Sequence, residues 1–133
     1  MAGTPDYQCR VEHVDEIGIV RRQLARLLAP LGDEDLSFRA VIALDELLAN
    51  CLVHTDEGDC TITAWLDHGP PPTLRVEVQD AGDEQTVMPT SRGLRVVDRV
   101  TSRWGLETRP AARVVWFEIA LPSPVEGWED RGG

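Results

Sequence analysis

Asp45-Glu46-Leu47-Leu48-Ala49-Asn50-Cys51-Leu52-Val53-His54 is the stretch whose reading decides the fold of this chain. It closes a helical pattern in which Phe38, Val41, Ile42, Leu48 and Leu52 are spaced to keep one apolar stripe on a core. Glu46, Asn50 and His54 then follow one another at i, i+4 and i+8. Each step advances about 6 Å along the axis with roughly 40° of drift, so a carboxylate, a carboxamide and an imidazole share one helix face.

Such a face is ordinarily the solvated side of a helix. It also suits a nucleotide site, because Mg²⁺ takes hard oxygen ligands and the Asn50 carbonyl oxygen is one. Glu46, one turn earlier, would orient or deprotonate a nucleophile lying within hydrogen-bond reach. The choice between the two meanings depends on the rest of the chain.

Upstream, the weak alternation from Tyr7 to His13 predicts an edge-type strand. From Val14 the period becomes helical, with Ile17, Val20, Leu24, Leu27, Leu28 and Leu31 on one stripe, Arg21, Arg22 and Arg26 outside it, and Pro30 and Gly32 closing the helix. Asp33-Glu34-Asp35 supplies acidic caps for the second helix, where carboxylates satisfy free amides and suit the positive end of the dipole.

Downstream, Cys60 to Leu66 and Thr73 to Gln79 both alternate with period two, as an antiparallel pair with one buried face would, and Gly69-Pro70-Pro71-Pro72 is a stiff turn between them. Ser91 to Val100 opens a third helix. Two more strands follow, around Thr101 to Glu107 and Arg113 to Leu121, joined by a turn over Thr108 to Ala112. Trp104 and Trp116 read as core residues. There is no internal repeat.

The totals narrow the function. A chain of 133 residues with 42% hydrophobic composition suits one domain that needs no disulfide. No run approaches the roughly 20 apolar residues of a membrane helix, and Met1 to Asp6 lacks the basic and apolar regions of a signal peptide, so a cytoplasmic location is expected. Cys9, Cys51 and Cys60 form no C-x-x-C pair and read as small core residues, while His13, His54 and His68 show no familiar metal spacing. A net charge of −10 argues against nucleic acid as the main partner. Every basic side chain is arginine, which excludes a Walker-type phosphate lysine.

The element order, strand, helix, helix, strand, strand, helix, strand, strand, predicts an α+β fold: a two-layer α/β sandwich whose mixed, mostly antiparallel sheet is covered on one face by three helices. Three polar clusters fall at element ends or on a helix face: Glu46-x-x-x-Asn50-x-x-x-His54, Asp80-x-Gly82, and Arg92-Gly93-Leu94. Asp80, at a strand end, would accept a hydrogen bond from the adenine amino group, and Gly82 would let the backbone approach the base. Gly93 and Leu94 place amides at a helix N-terminus, where the dipole favours phosphate.

At these residues the chain resembles the GHKL superfamily, the Bergerat ATP-binding fold of gyrase, Hsp90, histidine kinases and MutL, and within it the bacterial anti-sigma-factor serine/threonine kinases. Asp45 to His54 resembles the N box, Asp80-Ala81-Gly82 the G1 box, Ser91 to Val97 the G2 box, and Arg103-Trp104-Gly105 a motif common in that subgroup. The resemblance runs from about Val14 to Leu121, within a single domain over residues 7–122, with residues 1–6 and 123–133 expected to be disordered tails. It departs from the pattern at Glu84 and Ser91, which stand where glycines are usual, and over the short connection from Glu84 to Thr90, which makes the ATP lid look reduced.

The resemblance implies ATP and Mg²⁺ as cofactors. It makes Asn50 the metal ligand, Glu46 the general base and Asp80 the adenine reader, and sets Gly93 and Leu94 against the phosphates, with Gly82 and Arg92 in the same boxes. His54 either approaches the phosphates or is satisfied by a nearby carbonyl. The implied partners are a sigma factor and an STAS-domain antagonist that the kinase would phosphorylate, with a homodimer suggested by related regulators and no direct nucleic-acid or membrane partner. Two other readings stay open: a degenerate GHKL domain that captures a partner without catalysis, and a histidine-kinase catalytic fragment.

Overall fold

The computed structural model describes residues 3–54, 59–80 and 91–122. The elements follow the expected order: β1 (Tyr7–Val11), α1 (Ile17–Leu28), α2 (Glu34–His54), β2 (Cys60–Asp67), β3 (Thr73–Asp80), α3 (Ser91–Val100), β4 (Arg103–Arg109) and β5 (Ala112–Ala120). Short 3₁₀ turns at Val14–Glu16 and Ala29–Leu31 flank α1. The strands form one sheet in the order β1-β2-β3-β5-β4. Every pairing among the described strands is antiparallel, so the expected mixture of directions resolves to one pattern. Two of the four pairings, β2 with β3 and β4 with β5, are hairpins that need only short connections.

The helix boundaries follow from local chemistry. Gly32, at φ 70°, takes the left-handed conformation that ends the turn after α1. Asp33 then caps α2, its Oδ1 accepting from the Leu36 amide at 3.0 Å.

One face of the sheet carries the core. Cys60, Ile62 and Ala64 of β2, Leu74, Val76 and Val78 of β3, and Val115, Phe117 and Ile119 of β5 are buried there beneath the helices. The period of two sends the intervening residues to the opposite face. On α2 the buried stripe is Leu36, Ala40, Ala43, Leu44, Leu47, Leu48 and Cys51. This corrects the expected stripe, of which only Leu48 is fully buried; Phe38 is 65% exposed and Val41 and Ile42 are half-buried. The helix packs through four leucines interleaved with Ala40, Ala43 and Cys51, and leaves Phe38, Val41 and Ile42 toward its flanks.

The outer face is ionic. Arg75 donates to Glu77 at 3.0 Å and to Glu118 at 2.9 Å, while Arg109 donates to Glu107 at 2.9 Å and Arg103 also bonds Glu118. Trp116 belongs to this face, with the Arg75 guanidinium carbon 4.3 Å from its ring centroid. The expectation of a core Trp116 is therefore corrected: it shares β5 with Phe117 but points the other way. Trp104 does pack on the core, and its Nε1 donates to Asp98 Oδ1 at 3.0 Å.

The cysteines also depart from expectation. Cys51 and Cys60 are buried among core residues, but as a disulfide rather than two thiols, and Cys9 is the free cysteine. Their spacing of nine residues carries no sequence signature. The chain reversal between α2 and β2 is what brings the two together.

Candidate functional site

α2 lies between the other two helices and presents a different flank to each. At 100° per residue, Asp45 and Asn50 fall on opposite sides of the buried stripe. Asp45 turns toward α1, where its Oδ1 accepts from Arg21 Nε at 2.8 Å; this raises the Arg21 pKa. Arg39, Glu46 and Asn50 share the other flank. Arg39 marks its direction, because Arg39 Nε donates to the carbonyl oxygen of Val100, the last residue of α3, at 2.9 Å.

Within that flank, Asn50 Nδ2 donates to the carbonyl oxygen of Glu46 at 3.0 Å, and both residues are half-buried. The bond commits the amide end of the side chain to the helix. The carboxamide oxygen is then the end with the hard donor that a divalent cation takes. The donor chemistry of Asn50 thus fits Mg²⁺. Among the described residues no group of three or more His, Cys, Asp or Glu is placed to hold a metal ion, so a cation here would draw its other ligands from a bound phosphate and water.

Asp80 is brought to the same end of the molecule by two adjacent links. Cys51, the residue after Asn50, is bonded to Cys60 with the α-carbons 6.5 Å apart. Cys60 is the ladder partner of Asp80. The N-terminal end of α3 is directed toward this end as well. α3 finishes beside Arg39, and β4, which begins three residues later, starts opposite Glu118, at the end of the sheet remote from Asp80. A ten-residue helix spans about 15 Å, which carries its start back along α2 from Arg39 to roughly the level of Asn50.

The predicted residues therefore divide into three groups. Glu46 and Asn50 share a flank, and Asp80 sits buried at the end of β3, 5% exposed. His54, Arg92 and Gly93 lie on the helix backbone at the last residue of α2 and in the first turn of α3, followed by the half-buried Leu94. Gly82, with Glu84 and the expected lid up to Thr90, lies outside the described residues.

One residue at this end escaped the sequence reading. Arg113, the ladder partner of Asp80, is 4% exposed, and its Nη2 donates to Asp80 Oδ2 at 2.9 Å. The available signal was a charged residue at a position in step with Val115, Phe117 and Ile119.

No family model matches the chain and no curated protein matches it. Among solved structures it is similar to the crystal structure of the RsbU and RsbW domains of Rv1364c from Mycobacterium tuberculosis, with a TM-score of 0.67 and 19% identity over 89% of this chain. The match spans 33% of that longer chain. The likeness establishes the fold as an open, antiparallel α+β sandwich shared with that structure. No helix among the described residues is long and apolar enough to cross a membrane.

Proposed function

We propose that the chain binds ATP with Mg²⁺ and acts as a regulatory serine/threonine protein kinase of the anti-sigma-factor type. It phosphorylates an STAS-domain antagonist and sequesters a sigma factor when not engaged with that antagonist. The observation that carries this reading is the convergence of three elements distant in sequence: Asn50 with Glu46 on α2, Asp80 at the end of β3, and the start of α3. A fold shared with a structure that contains an RsbW domain supports it.

Each element has a distinct task in this reading. The Asn50 oxygen ligates Mg²⁺, and the Asp80 carboxylate accepts from the adenine amino group. The first turn of α3, with Arg92, Gly93 and Leu94, offers amides and a positive dipole end to the phosphates. Bound Mg²⁺ neutralises the charge that develops on the transferred phosphoryl group. Glu46 takes the proton from the attacking serine or threonine hydroxyl. In this reading the protein acts as a homodimer.

The test is incubation with ATP, Mg²⁺ and the STAS-domain protein of the same organism. Phosphoserine or phosphothreonine is expected on the STAS protein, and Glu46→Ala is expected to slow its appearance by about 10²-fold or more while ATP still binds. Sigma-factor capture that proceeds without phosphate transfer, and is indifferent to Glu46→Ala, would instead identify a partner-binding module and overturn the kinase reading.

A further inference from the structure

Arg113 occupies a core-facing position. Along β5 it is in step with Val115, Phe117 and Ile119, and across the ladder it faces Asp80, which is in step with Leu74, Val76 and Val78. Both charged residues are more than nine-tenths buried, and they meet at 2.9 Å. On the β2 side their ladder neighbour Cys60, and Val11 beyond it, are apolar and fully buried, while on the β4 side Arg113 is paired with the exposed Thr108.

Such a pair is poorly explained by stability alone. Desolvating two charges largely cancels their attraction, and apolar residues of similar volume usually serve as well or better. What the pair does supply is orientation. A guanidinium is a rigid planar donor that holds a carboxylate in a defined direction, where a lysine would act as a mobile point charge. A carboxylate has about four lone-pair sites and can accept from several donors at once.

We propose that Arg113 is a positioning and specificity-determining residue for the Asp80 carboxylate, fixing the direction from which it reads the exocyclic amino group of adenine. This rests on the nucleotide reading above. It adds that base discrimination depends on a residue 33 positions away on β5 that does not itself touch the base.

The experiment compares ATP with purine riboside triphosphate, which carries hydrogen in place of the 6-amino group, by calorimetry on the full chain with Mg²⁺. The wild-type protein is expected to prefer ATP by about tenfold or more, the range of one hydrogen bond to a charged group. Arg113→Met is expected to bring that ratio to within about threefold of unity. Arg113→Lys, which keeps the charge without the planar fork and stays usable should the methionine variant not fold, is expected to lower the ratio about threefold.

A folded Arg113→Met or Arg113→Lys that weakens both ligands equally, and so keeps the wild-type ratio, would show a purely structural role and overturn the inference. A wild-type ratio near unity would overturn it too, since Asp80 would then not read the amino group. Wild-type protein that binds neither triphosphate would overturn the nucleotide reading beneath it, an outcome distinct from both.

Discussion

Cys51 and Cys60 form a buried disulfide that ties the last turns of α2 to the first residue of β2. The bond closes a short loop, and the entropy it removes from the unfolded chain corresponds to about 2.5 kcal/mol. Replacing both cysteines with alanine is expected to lower the thermal midpoint by about 10 °C. Thiol titration of the denatured, unreduced protein should find one reactive thiol, Cys9. Three reactive thiols, with a midpoint unchanged in the double variant, would contradict the cross-link.

Gly105 stands opposite Trp116 in the β4–β5 ladder, and a β-carbon added there would meet the indole ring at 2.7 Å. The ring is also packed by the Arg75 guanidinium, 4.3 Å from its centroid, which restricts its movement. Gly105→Ala is therefore expected to destabilise the fold by about 1–3 kcal/mol in urea titration, as overpacking does. A neutral substitution would show that the indole moves freely.

The outer ionic cluster predicts acid sensitivity. Burial pushes the Glu118 carboxyl up, but hydrogen bonds from Arg103 and Arg75 outweigh it and hold the group below the usual carboxylate range. The folded state thus binds this proton less readily than the unfolded state. The resulting stability is present above the unfolded value of roughly 4.3 and is lost as pH falls through the folded value. Glu118→Gln is expected to cost about 1–3 kcal/mol at pH 7 and to flatten the decline of stability between about pH 5 and pH 3. Identical slopes for the two proteins would assign the decline to other groups.

Much of this architecture is legible in the sequence because its signals are local. Period-two alternation placed β2 and β3 within a residue of where they lie, and Asp33 and Gly32 mark helix ends through their own backbone chemistry. Signals that depend on tertiary packing were not legible in the same way. The buried side of α2 combines Leu36, Leu44, Leu47 and Leu48 with Ala40, Ala43 and Cys51, and the small members of that row weigh little against Phe38 and Ile42 when periodicity is read from bulk.

Trp116 was assigned to the core by residue type, whereas the alternation along β5 assigns it to the face opposite Phe117. At the candidate site, the face shared by Glu46 and Asn50 follows from helix geometry. The Asp80 to Arg113 pair does not, because its partners come from different strands, and a charge in an apolar row was its only trace.

The most direct measurement is calorimetric titration of ATP into the purified protein, with and without Mg²⁺, beside Asn50→Ala. Magnesium-dependent binding is expected in the wild-type protein. The asparagine variant is expected to lose the magnesium dependence, since its side chain no longer offers a hard oxygen donor. Absence of heat at millimolar ATP, in a protein that melts cooperatively, would contradict the nucleotide site and leave the fold as a scaffold for a partner.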